Sequence, residues 1–88
     1  GLSKDKEYSK VRFFAISQGK KKMIGQKGFS GRTASADKKY YSSVSDILIP
    51  RRHFAGAEKA VAHVQLLYCS FAKGVCYRKQ EKLVINNP

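Results

Sequence analysis

The chain has 88 residues, and its 18 Lys and Arg against six Asp and Glu give a formal net charge of +12. This length fits a single domain over residues 1–88, and a hydrophobic content of 42% argues against a disordered chain. No apolar run approaches the roughly 18 residues that a membrane-spanning helix needs. A field this positive favours a polyanionic partner, which is a nucleic acid, an anionic membrane surface or an acidic protein.

The first third of the chain predicts two strands. Residues 1–10 are polar and of mixed charge, which is typical of a loop. Residues 11–17 (VRFFAIS) are mostly aromatic or aliphatic, which predicts a strand. Residues 19–22 (GKKK) then predict a turn, and a second short strand begins at Met23.

The middle of the chain predicts a loop followed by a third strand. Residues 30–32 (SGR) lie among closely spaced glycines, which indicates the loop. Residues 40–49 (YYSSVSDILI) are rich in tyrosine and aliphatic residues and predict the strand. Pro50 ends it, because proline has no N–H to donate to a strand ladder.

Residues 57–71 fit both a helix and a strand. Apolar residues recur at helical spacing at Ala57, Ala60, Val61, Val64, Leu67, Tyr68 and Phe71. They also alternate as one face of a strand at Ala60, Ala62, Val64, Leu66 and Tyr68. Alanine, glutamate and lysine favour the helix. The residues alone therefore leave open an α+β fold with a helix over about 55–71.

Two cysteines frame the last turn of the chain. If residues 60–69 are a strand, residues 70–75 form a hairpin loop with Gly74 as its turn residue, and the alternating residues 76–85 form the returning strand. Cys69 then lies opposite Cys76 at roughly the Cβ spacing that a disulfide needs. In so short a loop the bridge would contribute roughly 2 kcal/mol. The alternative is a pair of buried free thiols.

The carboxy-terminal half resembles a known β-sandwich. The stretch ILIPRRHFAGAEKAVAHVQLLYCSFAKGVCYRKQEKLVI ends a strand at Pro50, leads to VQLLYCS and reaches the second cysteine after six residues. It is similar to the C-terminal domain of NHL-repeat proteins that also carry a thioredoxin-like domain, including the plant suppressor-of-quenching type. The segment GLSKDKEYSKVRF resembles the beginning of that domain. The cysteine hairpin is also similar to that of the N-terminal domain of DsbD-type periplasmic reductases.

The resemblance favours strand for residues 57–71. It implies an all-β fold, a small Ig-like antiparallel β-sandwich with a carboxy-terminal cysteine-bridged hairpin. It implies an accessory domain whose cysteine pair is redox-sensitive, and no catalysis by this domain alone. The chain lacks the family's preceding strand and its other two domains, and it is far more basic. We therefore expect a processed piece, a fragment or a free-standing relative, with an open sheet edge that another chain could complete.

Clusters of basic residues are the candidate polyanion-binding sites. The candidates are Lys20, Lys21, Lys22, Lys27, Arg32, Lys38, Lys39, Arg51 and Arg52. Tyr40 and Tyr41 follow one cluster, and neighbouring aromatic and basic residues suit nucleic acid. The same clusters suit an acidic protein or a lipid surface.

Two histidines are the only candidates for general acid–base chemistry. His53 and His63 could act as the acid and base of a small basic ribonuclease or toxin. No third group accompanies them, and on the strand interpretation His63 lies on the face opposite Ala62 and Val64. The two cysteines lack the short ligand spacing of zinc motifs. We expect no catalytic residue, no metal and no cofactor.

The sequence therefore predicts a non-enzymatic accessory domain. It would dock through a basic surface on an acidic protein within a multi-subunit complex, with Cys69–Cys76 stabilising or redox-tuning its last hairpin. The alternative is a nucleic-acid-binding protein of the ribosome-associated kind, and the ribonuclease is a remote third hypothesis. The compartment stays open, although a disulfide favours an oxidising one such as an organelle lumen, the periplasm or the cell exterior.

Overall fold

A long two-stranded hairpin organises the fold. The structure is a computed structural model that describes residues 1–88, and it is built from strands with no α-helix. In chain order the elements are β1 (Leu2–Ser3), β2 (Lys10–Ser17), β3 (Lys20–Lys27), β4 (Gly31–Thr33), β5 (Tyr40–Val44), a 3₁₀ turn (Arg51–Phe54), β6 (Lys59–Ser70) and β7 (Val75–Asn86). The all-β prediction is confirmed at this level.

Strands β6 and β7 each have 12 residues and pair along their whole length. The antiparallel register runs from Lys59 opposite Asn86 to Ser70 opposite Val75. The alternative of a helix over about 55–71 is therefore wrong. The local helix preference gives way because β6 has hydrogen-bonding strands on both of its edges, which satisfy its backbone groups across the sheet.

The sheet branches at β6. Its order is β3-β2-β6-β1-β5-β4, and β7 pairs with the other edge of β6. The first part of β6, from Lys59 to Gln65, pairs with β2, whereas Tyr68 pairs with β1. The long hairpin therefore joins two groups of shorter strands, and the molecule is elongated, with extents of 47 × 20 × 18 Å.

The hydrophobic core is small and lies on one face of β2 and β6. Its buried members are Val11, Phe13, Phe54 and Ala60. Loop residues Phe29, Ile47 and Ile49 pack against them from the open side. Only 10 of the 88 residues are buried, so this core leaves much of the sheet uncovered.

Two short elements and one turn differ from the prediction. The turn predicted at residues 19–22 includes Gly19 but extends too far, because Lys20–Lys22 already belong to β3. The chain reverses at Gln18 and Gly19, whose φ angles of 53° and 74° suit a two-residue hairpin turn. The predicted loop at residues 30–32 is partly strand β4, and the predicted loop at residues 1–10 contains β1.

The third predicted strand is shorter than expected. Strand β5 ends at Val44, and the chain then leaves the sheet so that Ile47 and Ile49 reach the core. Strand β4 lies so close to β5 that a side chain at Gly31 would clash with the Ser43 carbonyl oxygen. Glycine at position 31 is therefore a packing requirement of this strand pair.

We expect Phe54→Ala to lower the free energy of unfolding by roughly 3 kcal/mol, because the ring ties the 3₁₀ turn to the core. Leu48→Ala is the matched control, since Leu48 lies in the same connection but is 81% exposed; its cost should stay below about 0.5 kcal/mol. Urea unfolding of both variants measures the difference. Equal losses would show that this connection does not close the core.

Candidate functional site

The basic clusters predicted from the sequence are exposed but dispersed. Lys20, Lys21 and Lys22 lie on β3, at one end of the strand order, and Arg32 lies on β4, at the other. Lys38 and Lys39 precede β5, and Arg51 and Arg52 belong to the 3₁₀ turn. Lys27 donates a hydrogen bond to the Leu48 carbonyl oxygen at 2.9 Å. These residues do not form one continuous strand face.

A different set of basic residues does share one face of the sheet. Arg12 on β2 lies opposite His63 on β6, and His63 lies opposite Lys82 on β7. Alternate residues of a strand point to the same side of the sheet. The residues two positions before and after Arg12, His63 and Lys82 therefore lie on the same side as this row. We call this side the basic face, and its members are Lys10, Arg12, Lys59, His63, Arg78 and Lys82, with Lys21 reaching it from β3.

His63 lies at the centre of the basic face. The Lys21 Nζ atom is 3.0 Å from its Nε2 atom. An ammonium group only donates hydrogen bonds, so Nε2 accepts and the ring is neutral, with its proton on Nδ1. The Phe14 ring contacts the imidazole edge-on at 5.0 Å between centroids, and Lys21 lies 4.3 Å from the centre of the same ring.

The environment of His63 opposes protonation. Partial burial of the ring, and then the positive charges of Lys21, Lys82 and Arg12, lower the pKa of His63 below its ordinary value of 6.5. Burial acts because it removes water from the charged form, and the cations act because they repel it. The basic face therefore holds one neutral imidazole among fixed positive charges.

Next to His63 the sheet surface forms a depression of about 200 Å³. Its polar lining consists of Lys10, Arg12, His63, Gln65, Gln80 and Glu81, and the Glu81 carboxylate is paired with Lys79 at 3.0 Å. Two cations and two side-chain amides can donate hydrogen bonds to the oxygens of a carboxylate or a phosphate. The arrangement suits binding of an anion.

The chain neutralises little of its own positive charge. Its one salt bridge joins Lys79 to Glu81 at 3.0 Å, between largely exposed side chains. The other Lys and Arg residues have no carboxylate oxygen within 4.0 Å. The positive field of the basic face is therefore available to an external anion.

The two histidines of the ribonuclease hypothesis lie apart in the structure. His53 belongs to the 3₁₀ turn and lines a depression with Ile24 and Lys27. His63 lines the separate depression of the basic face. The structure does not bring the two imidazoles into one cleft.

The cysteines form the predicted disulfide. Cys69 and Cys76 are opposite each other in the hairpin, with 4.0 Å between their Cα atoms, and no free cysteine remains. Cys69 is buried and Cys76 is exposed. Gly1 holds the buried side, because its carbonyl oxygen accepts a hydrogen bond from the Cys69 N–H at 2.9 Å. The disulfide therefore joins β6 to β7 at a residue that is also hydrogen-bonded to the amino terminus.

The prediction from the amino-acid sequence missed most of the basic face. Lys10, Arg12, Lys59, Arg78 and Lys82 were not among its candidates. The sequence did contain part of the information needed to find this face. If Cys69 lies opposite Cys76 in the hairpin, the same register places His63 opposite Lys82. The contribution of Arg12 depends on the pairing of β2 with β6, which no local pattern specifies.

Comparison of the chain with protein-family models, with curated proteins and with solved structures gives no match in any of the three. No helix of the structure is long and apolar enough to cross a membrane.

We expect Lys82→Gln to raise the pKa of His63 toward its ordinary value, because one of the repelling charges is removed. Lys79→Gln is the control, since it removes an equal charge from the same strand on the other face. An NMR titration of the imidazole protons measures both. Equal shifts in the two variants would contradict the cross-strand origin of the effect.

The same depressed pKa gives a pH dependence of stability. The unfolded chain binds a proton at His63 near pH 6.5, whereas the folded chain resists it, so the free energy of unfolding falls as the pH drops below that value. In His63→Gln this part of the decline should disappear. Denaturant unfolding between neutral pH and pH 5 measures the contribution, and identical curves for the two proteins would contradict it.

Reduction of the disulfide should lower the free energy of unfolding by about 2 kcal/mol, because the bridge constrains only a short loop of the unfolded chain. The control is the double variant Cys69→Ala with Cys76→Ala, which should respond to no reductant. Thermal unfolding with and without dithiothreitol gives the comparison. A wild-type protein that alkylates fully without reductant would show that the bridge does not form.

Proposed function

We propose that the chain is a non-enzymatic accessory domain that docks through its basic face on an acidic protein surface within a larger assembly. The observation that carries the proposal is the cross-strand row Arg12, His63 and Lys82, with Lys21 and Lys10 beside it. No carboxylate of the chain pairs with any of these side chains.

Electrostatic repulsion within this row supports the proposal. Arg12 and Lys82 lie on either side of the neutral His63, and with Lys21 they lower its pKa, so an anion that binds among these cations relieves their mutual repulsion. A positive patch that meets a negative one also raises the rate and the specificity of association. The basic face has the form expected of a docking surface for a polyanion.

An acidic protein fits this face better than a nucleic acid does. Binding of single-stranded nucleic acid uses exposed rings on which the bases stack. Two aromatic rings lie at the basic face, and both are already engaged: Phe14 contacts His63 and Lys21, and Arg78 lies over the ring of the exposed Tyr8 at 5.4 Å. The other large feature near β7 is an apolar groove, which a protein can fill.

The proposal also includes membership of the NHL-repeat and thioredoxin-like family and an Ig-like arrangement of the strands. The resemblance of residues 47–85 to the β-sandwich of the NHL-repeat and thioredoxin-like proteins supports an Ig-like sandwich with an accessory role. On this proposal the Cys69–Cys76 bridge tunes the hairpin according to the redox state of an oxidising compartment. Its exposure on the Cys76 side supports access by a thiol.

A charge-matched pair of variants tests the docking surface. The triple variant Lys10→Gln, Arg12→Gln and Lys82→Gln should bind fluorescent polyglutamate roughly tenfold more weakly, because each exposed ionic contact is worth up to about 1 kcal/mol. The control is Lys38→Gln, Lys39→Gln and Arg52→Gln, which removes the same charge elsewhere. Fluorescence anisotropy at several salt concentrations measures both.

Equal losses in the two triple variants would show that net charge alone attracts the probe and would contradict a defined docking face. Poly(U) RNA of matched charge is the competing probe. Tighter binding of the RNA, with a steeper fall of affinity with salt, would favour the nucleic-acid hypothesis over the acidic protein.

A further inference from the structure

The outer edge of β7 has no partner strand. β7 pairs with β6 on one side only, and all 12 of its residues are exposed. The Asn87 N–H donates to the Glu58 carbonyl oxygen at 3.0 Å, which fixes the alternation of the ladder in this hairpin. Leu83 and Ile85 consequently direct their backbone groups toward β6. The backbone N–H and C=O groups of Arg78, Gln80, Lys82 and Val84 point outward and lack a strand partner.

An apolar groove lies beside this edge. It has a volume of about 620 Å³, and 13 of its 18 lining residues are hydrophobic. Leu83 and Ile85 contribute from β7, and they are 53% and 60% exposed. Phe13 and Val64 form part of the floor, and Ile47 lies on the loop side. The groove lies on the face opposite the basic face, so β7 borders both surfaces.

The chain exposes more surface than a protein of its mass normally does. Its solvent-accessible surface is 6537 Å², against about 5200 Å² expected for a folded monomer of this size. Its radius of gyration is 15.1 Å, against about 12 Å expected for this length. The surplus of about 1300 Å² exceeds the roughly 800 Å² that each partner buries in a standard protein interface.

A second copy of this chain is a poor occupant. Each copy carries a net charge of +12, and β7 itself contributes Arg78, Lys79 and Lys82 against one carboxylate, Glu81. In a symmetric antiparallel pairing of two β7 strands centred on Gln80, Arg78 of each copy would lie opposite Lys82 of the other. Charged side chains of this kind discourage edge-to-edge pairing of identical sheets. The occupant that the charges favour is acidic.

We propose that an extended acidic segment of the partner protein adds to the outer edge of β7 as a further strand. Its alternate residues are apolar and enter the groove beside Leu83 and Ile85. The residues between them are acidic and lie beside Lys82 and Arg78 on the basic face. This inference rests on the proposed docking function and names the form of the partner segment.

The geometry of strand addition supplies both parts of the recognition. An added strand pairs with the free backbone groups of Arg78, Gln80, Lys82 and Val84, and its side chains alternate between the two faces of the sheet. The side over the groove meets Leu83 and Ile85, and the other side meets Arg78 and Lys82. A segment with alternating apolar and acidic residues therefore satisfies both surfaces in one register.

A synthetic peptide tests the proposal directly. The probe is a 12-residue peptide with blocked ends that alternates valine and glutamate, and the control peptide has the same composition with all glutamates grouped at one end. Calorimetry on the disulfide-bonded protein should show binding of the alternating peptide at least tenfold tighter than of the control. Equal affinities, or no binding of the alternating peptide, would overturn strand addition.

Amide hydrogen exchange in the same protein locates the contact. The amides of Gln80, Lys82 and Val84 should exchange fast in the free protein and slow at least tenfold when the alternating peptide binds. The amides of Leu83 and Ile85 should be protected in both states, because they bond to β6. Bound peptide without slower exchange at the outward amides would overturn the proposal.

Val84→Pro tests the hydrogen bonds. It removes an outward N–H and leaves the β6 ladder intact, since proline is tolerated on an edge strand where its N–H would face away from the sheet. It should bind the alternating peptide at least tenfold more weakly than Val84→Thr, which keeps the amide. Equal affinity of two folded variants would overturn the proposal, and the exchange experiment decides the matter if Val84→Pro does not fold.

The outcomes separate this inference from the docking function. If both peptides bind equally and the basic-face triple variant weakens both, an acidic partner still docks on the basic face but adds no strand. If the triple variant has no effect and the alternating peptide still protects the outward amides, strand addition holds without the proposed electrostatic docking.

Discussion

The register of the β6–β7 hairpin is the constraint on which the rest of the structure depends. Because side chains alternate along a strand, a slip of one residue would move every side chain of β7 to the opposite face. Leu83 and Ile85 would then join the basic residues, and Lys82 would enter the apolar groove. The Cys69–Cys76 bridge fixes one end of the ladder at a single register, which makes it more than a small contribution to stability.

A single register gives one sheet two chemically different sides. On one side Phe13 and Ala60 are buried beneath the loop that carries Phe54. On the other side the row of Arg12, His63 and Lys82 faces outward and is not neutralised by the chain. A small core cannot offset much electrostatic repulsion, so the neutral form of His63 reduces a cost that a third charge in the row would increase.

The sequence predicted the parts of the fold that local patterns specify. The alternation of apolar and polar residues, together with the two cysteines, was sufficient to predict the β6–β7 hairpin. The run of aromatic and aliphatic residues was sufficient to predict β2. Pairing between distant strands was not predictable, because the partner of Arg12 depends on how β2 and β6 meet across 40 or more intervening residues. The lysines at the start of β3 were predicted as a turn, because an exposed edge strand does not need the alternating apolar residues that identify a buried strand.

Strand β7 takes part in both proposals, the docking of an acidic partner on the basic face and the addition of a partner strand to the sheet edge. The residues of β7 whose backbone groups point outward are also those whose side chains lie on the basic face, because the two properties alternate with the same period of two. In an antiparallel pairing, an incoming strand that hydrogen-bonds to Lys82 therefore places its own side chain next to that cation, on the side away from the groove. Under the proposal, charge selects the register in which the apolar residues of the partner reach Leu83 and Ile85.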